Sequence, residues 1–160
     1  MAVLPILVWP DARLRTVCAP VSGDVRSFAA DMLETMYDAI GRGLAAPQVG
    51  VLLRMFVIDV TWKTGILSPL VFVKPQIVWR SEDLIDGPEG CLSLPGLAAT
   101  VGRSDRLRLR WDDLESNTLE QDFDGFAAIC IQHECDHLDG ILTVDHLAPA
   151  DRADALKSLQ

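Results

Sequence analysis

The chain has 160 residues, 49% of them hydrophobic and 23% charged, and carries a net charge of −9 at pH 7. That length predicts one domain spanning residues 1–160, with interior enough for a core that needs no disulfide staples. The acidic balance argues against a broad nucleic-acid-binding surface, so no DNA partner is expected.

The opening MAVLPILVWP has no basic n-region, and prolines break its apolar run. It reads as a mature N-terminus rather than a signal or membrane segment. The four cysteines then fit a reducing, cytoplasmic setting. The stretch from Trp9-Pro10-Asp11 to Cys18-Ala19-Pro20 reads as loop. Apolar residues Val25, Phe28, Ala29, Met32, Leu33, Met36 and Ile40 recur with a helical period, with Ser22 or Asp24 as cap. Gly41-Arg42-Gly43 ends that helix. Leu44 to Gly50 follows as a compact apolar loop whose one polar side chain is Gln48.

Met55–Val60 and Leu70–Trp79 read as strands. Arg106–Trp111 alternates strictly, so Leu107, Leu109 and Trp111 face inward and the three arginines form a solvated row. Thr118–Phe123 is its hairpin partner across Glu115-Ser116-Asn117. The tail from Pro149 is weakly helical. Between the strands, Gly and Pro on both sides of Cys91 predict an irregular, rigid backbone over 88–96. Such a segment can present a thiolate and a free N–H, although a cysteine taken alone is more often an inert buried side chain.

The run Phe126 to Leu138 reads as a helix, with Asp124 as N-cap and Gly140 at C′. It contains Gln132-His133-Glu134-Cys135-Asp136-His137, an H-E-x-x-H pattern. Residues four apart on a helix lie about 40° apart on one face. His133 and His137 can therefore hold one metal ion, with Glu134 flanking an open coordination position. Phe126, Ile129 and Cys130 share that face, which is expected to be the core face too. The alternative is a pair of hydrogen-bonded core histidines.

A third ligand is not given by the local pattern. Thr143 stands where a third histidine would extend the motif, and no glutamate follows Glu134. His146 is the one other histidine, and Asp139, Asp145, Asp151 and Asp154 form no recognisable pattern. Cys91 is the better candidate.

Three stretches occur in order: GRGLAAPQVG at 41–50, EGCLS at 89–93 and QHECDHLDG at 132–140, preceded by Pro-Asp-x-Arg-Leu-Arg at 10–15. On these the chain resembles the peptide deformylase family over nearly its whole length. The resemblance implies an α+β fold, with small mixed or antiparallel sheets around the histidine-bearing helix. It implies removal of the N-formyl group from the initiator methionine of nascent polypeptides, with formate released. Cys91, His133 and His137 would bind one divalent ion, Fe²⁺ in the cell with Zn²⁺ as substitute. Glu134 would be the general acid–base, and the Gln48 amide with the Leu92 backbone N–H would meet the charge on the formyl oxygen. Gly43 and Arg42 would lie along the extended substrate, and Phe126, Ile129 and Cys130 would line the methionine pocket. The implied partners are nascent formyl-Met chains and the ribosome exit region, with no membrane and a cytoplasmic location.

The chain departs from the family pattern at Arg42, where a small apolar residue is usual, at Lys74, where asparagine is common, and at Thr143, where phenylalanine is. The C-terminal tail also lacks a basic run. Two other classes remain in view: a metallopeptidase sharing H-E-x-x-H, and a non-catalytic deformylase-like metal protein.

Overall fold

The computed structural model describes residues 2–160. Its largest sheet is antiparallel and runs in the order β1 (Gly43–Ala45), β2 (Met55–Ile58), β3 (Leu70–Arg80), β6 (Arg106–Asp112), β7 (Thr118–Asp124). Strand β2 is buried at all four positions because the sheet is covered on both faces. Met55 and Val57 turn towards α1 (Arg26–Asp38), where they meet Met32, Met36 and Leu44. Phe56 and Ile58 turn the other way, into a cluster with Phe72, Trp111 and Phe123. That cluster packs under α2 (Gly125–Leu138) through Ala128, Ile131 and Leu138. Phe72 is its hub, with ring centroids 4.9 Å from both Phe56 and Trp111.

The expected β6–β7 hairpin is present, with Trp111 opposite Leu119. Its outer row is solvated: Arg108 and Arg110 pair with Glu120 and Asp122 in exposed ion pairs. Strand β2 stops at Ile58 rather than Val60. The Asp59 carboxylate accepts from Tyr37 Oη, Thr61 N and Ser68 N, which opens the loop there.

Two expected loops are ordered elements. The stretch from Leu44 to Gly50 is the rest of β1 and a 3-10 turn over Ala46–Val49, and another 3-10 turn covers Ala12–Arg15. The stretch 88–96 lies in a long hairpin of β4 (Leu84–Cys91) and β5 (Leu94–Ser104), and the expected irregularity is confined to a break in register between Gly90 and Cys91. Its Gly and Pro residues sit at exposed or partly buried positions of a two-stranded ribbon, where their weak strand preference costs little.

Helix α2 ends as predicted. Gly140 N donates to His137 O and Ile141 N to Asp136 O, with Gly140 at φ +73°. A Cβ at Gly140 would also lie 2.5 Å from the Arg15 carbonyl oxygen. At the other end, the Asp124 side chain makes no capping bond. The tail is ordered as α3 (Pro149–Ser158), whose Leu156 packs on Leu14, Leu94 and Val144. The N-terminal segment straps two loops together: Leu7 N donates to Gln48 O at 2.7 Å and Trp9 N to Ser93 O at 2.9 Å. Among the described residues, no helix is long and apolar enough to cross a membrane. The fold is α+β, with antiparallel sheets around the helix that carries both motif histidines.

Candidate active site

Cys91 is the last residue of β4, and the tight turn after it turns the thiol towards α2. The ligand atoms of Cys91, His133 and His137 lie within 4.8 Å of one another. Cys91 Sγ is 3.4 Å from His137 Nε2. His133 Nδ1 is 3.0 Å from Glu89 Oε1, which leaves its Nε2 for another partner. His146 is not in this group; its Nε2 meets Asp136 Oδ2 at 2.8 Å. Asp139 and Asp145 pair with arginines instead.

Glu89 is itself clamped. Arg103 Nε and Nη2 reach its two oxygens at 2.9 Å each, and Arg103 Nη1 reaches Asp136 Oδ2 at 2.7 Å. Burial disfavours the Glu89 charge, but Arg103 and then His133 outweigh it and bring its pKa down to about 2. Reading the residues missed Glu89 and Arg103 as site residues. The available signal was the alternation Ala99, Val101, Arg103 on one face of β5, which puts a charge on a buried side.

The three donors suit a metal ion. Burial keeps a proton off His137, with the charges on His133 and Arg103 adding to the effect, as a neutral ligand requires. Burial works against a proton on His133 as well, yet Cys91 and Glu89 prevail and lift its pKa well above the imidazole range. The place between these groups thus favours positive charge. One thiolate and two imidazole nitrogens make a three-donor set that leaves a position open, as in catalytic rather than structural sites.

Glu134 is buried next to this group, with Oε1 3.8 Å from His133 Nε2 and Oε2 without a partner among the described residues. Burial raises its pKa to about 7, against the pull of His133. Gly43 is packed on it: a Cβ there would lie 2.8 Å from Glu134 Oε1. The Gln48 amide is held at both ends. Its Oε1 accepts from Ala45 N at 2.9 Å, and its Nε2 donates to Ser93 Oγ at 3.0 Å and lies 3.7 Å from Cys91 Sγ.

A pocket of about 780 Å³ opens over these groups, bordered by Gly43, Gly90, Leu92, Phe126, Ile129 and Cys130. The stripe Phe126, Ile129, Cys130 therefore borders the pocket, with Cys130 also packed on the core cluster and Phe126 44% exposed. The core side of α2 is Ala128, Ile131 and Leu138, since this helix carries apolar residues on both flanks. Arg42 sits at the mouth, with its guanidinium 4.8 Å from the Phe126 ring centre.

The profile of the family described as polypeptide deformylase matches residues 3–153. A peptide deformylase of Alkalilimnicola ehrlichii is 50% identical over 100% of this chain and 90% of its own length. One from Cellvibrio japonicus is 49% identical, covering 96% of this chain and 91% of its own. Among solved structures, a peptide deformylase from Legionella pneumophila superposes with a TM-score of 0.92 at 41% identity, over 99% of this chain and 94% of that one. Another, from Synechococcus elongatus in complex with actinonin, gives 0.91 at 38% identity, over 97% and 86%.

Proposed function

This chain belongs to the peptide deformylase family, and from that premise we infer how its own residues perform the family's reaction. The protein is an enzyme that removes the N-formyl group from nascent polypeptides. The observation that carries the residue assignment is an open Cys91–His133–His137 donor set beside a buried glutamate, at the floor of a peptide-sized pocket.

The pocket lies between two sheet edges. Arg42 O accepts from Asp59 N at 2.9 Å, so antiparallel alternation turns the N–H and C=O of Gly43 away from β2. Strand β4, carrying Gly90, pairs with β5 alone. An extended peptide enters between them as an added strand, with its methionine against Phe126, Ile129 and Cys130.

Cys91 Sγ and the Nε2 atoms of His133 and His137 would hold a divalent ion, which when bound would supply an activated water and Lewis-acid polarisation of the formyl group. Glu134 accepts the proton that the water releases and passes it to the leaving amine. A carboxyl near neutrality suits both transfers. Gln48 Nε2 gives one N–H to Ser93 and directs the other towards Cys91 Sγ at 3.7 Å; with a substrate present, that second N–H and the Leu92 backbone N–H meet the charge on the formyl oxygen. Formate and a free amino terminus leave.

We assign Fe²⁺ as the native ion and Zn²⁺ as its substitute; one thiolate with two imidazoles suits either. The whole chain acts as one catalytic domain in the cytoplasm, meeting its substrate at the ribosome exit region. The test is anaerobic purification, metal analysis and an assay of formate release from formyl-Met peptides. One ion per chain and formate release are expected, with sharply lower metal content in Cys91→Ala. Cleavage of unformylated peptides at internal bonds would instead identify a metallopeptidase.

A further inference from the structure

The pocket mouth carries two cations without carboxylate partners. Arg42 and Lys63 both line it, and neither joins an ion pair among the described residues. The acidic residues lining the same pocket, Glu89 and Glu134, lie deep in it and are buried. In a chain of net charge −9, this is a local reversal of sign at the place where a peptide leaves the site.

The two cations are tied together. Lys63 lies in a 3-10 turn over Trp62–Thr64, and Trp62 Nε1 donates to Gly41 O at 2.8 Å, next to Arg42. Tyr37 packs edge-on against Trp62 with centroids 5.3 Å apart, and its hydroxyl donates to Asp59 at 2.6 Å. The turn is thereby fastened to the start of β1. Arg42 alone would be an ordinary case of an arginine laid over an apolar surface. Lys63 lies over an aromatic ring in the same way, its Nζ 5.9 Å from the Trp62 ring centre, so what sets this wall apart is that two cations are fastened side by side on it with no carboxylate between them among the described residues. Stacking on Phe126 occupies a face of the guanidinium and leaves its in-plane N–H groups free for a carboxylate.

We propose that Arg42 and Lys63 make this enzyme select formyl-Met chains with an acidic side chain at one of the two residues after methionine. The proposal rests on the deformylase reading above. Methionine takes the apolar wall, so the residues that follow pass the mouth where the cations stand.

The test uses the purified metal-loaded protein and three amidated peptides, formyl-Met-Glu-Glu-NH₂, formyl-Met-Gln-Gln-NH₂ and formyl-Met-Lys-Lys-NH₂. The expected order of kcat/KM is Glu over Gln over Lys. The Glu-to-Gln ratio should be roughly three- to tenfold at low salt, mainly through KM, the scale of exposed charge pairs, and should fall towards one as salt rises. Combined Arg42→Gln and Lys63→Gln should bring the ratio to about one, and combined Arg42→Glu and Lys63→Glu should invert it. Each protein is judged by its own ratio, so a general loss of rate does not obscure the result. Equal turnover of the Glu and Gln peptides by the unaltered protein, or a ratio that both double variants leave in place, overturns the proposal alone. No formate from any peptide overturns the deformylase reading and this inference with it.

Discussion

Glu89 Oε1 stands 3.0 Å from His133 Nδ1 while Arg103 holds both Glu89 oxygens at 2.9 Å, so the ring of one metal ligand is fixed by a carboxylate that is itself fixed. This arrangement sets the tautomer of His133, keeps its Nε2 directed at Cys91 and His137, and raises its basicity as a ligand.

Loss of that carboxylate should therefore appear first in metal binding. Glu89→Gln is expected to weaken metal affinity by about 10- to 100-fold, the usual scale for a group that orients a ligand. Glu89→Ala should also destabilise the fold by about 1–3 kcal/mol, because it leaves Arg103 Nε and Nη2 unpaired while Asp136 still pairs with Arg103 Nη1. Chelator competition gives the first quantity and denaturant unfolding the second. Unchanged affinity in Glu89→Gln would mean that packing, not Glu89, holds the ring.

Gly43 and Glu134 give a second prediction. Gly43→Ala would place a Cβ 2.8 Å from Glu134 Oε1, so the carboxylate must move or β1 must shift. A kcat lower by roughly tenfold or more is expected with metal content retained, since a displacement near 1 Å is costly for a proton-transfer group. Glu134→Gln should go further, at least ~100-fold in kcat, also with the ion bound. Normal turnover in Gly43→Ala would show that β1 yields at no cost to the carboxylate.

Some of this was legible in the residues and some was not. The α2 face was, because helical spacing alone brings His133 and His137 together and Gly140 marks the helix end. The strict alternation of Arg106–Trp111 likewise gave the β6–β7 hairpin and its solvated arginines. The β4–β5 hairpin was hidden because its Gly and Pro residues mimic loop composition, and the ribbon is held by backbone pairing from Leu84 to Gly90 rather than by strand-forming side chains. Arg103 was hidden with it, since one arginine on an unrecognised strand carries no signal until that strand's inward face is known. Phe126, Ile129 and Cys130 were placed along the pocket only through the family resemblance: their side chains are core-like, and only the placement of β4 beside α2 leaves space in front of them.

A third prediction comes from Lys74, which adopts φ +51° at the irregular pairing between Val73 and Gln76. That left-handed conformation strains a lysine and is tolerated by asparagine. The side chain is exposed, so nothing in the interior depends on it. Lys74→Asn should stabilise the protein by about 0.5–1 kcal/mol, seen as a Tm higher by about 1–4 °C. A lower Tm would show that the lysine side chain makes a contribution larger than the strain.

Gln48 allows a structural role to be separated from a chemical one. Its Oε1 takes Ala45 N and its Nε2 takes Ser93 Oγ, so the amide clamps the turn after β1 to the turn after Cys91. Gln48→Ala leaves a buried N–H unpaired, a cost of about 1–3 kcal/mol. If the remaining N–H also meets the formyl oxygen, the same change should lower kcat by about 10²- to 10³-fold. Ser93→Ala removes one end of the clamp and no donor towards the substrate, so its kcat should fall by less than about tenfold. Gln48→Glu retains an acceptor for Ala45 N and deletes the amide donors; its buried carboxyl beside the Cys91 sulfur gives no gain in stability over Gln48→Ala, and it should turn over slowly. Denaturant unfolding and kcat, measured on all three metal-loaded variants, place each on two axes. Should kcat follow stability alone, with Gln48→Ala no slower than Ser93→Ala, Gln48 would be a clamp between two loops and the oxyanion would rest on the Leu92 N–H.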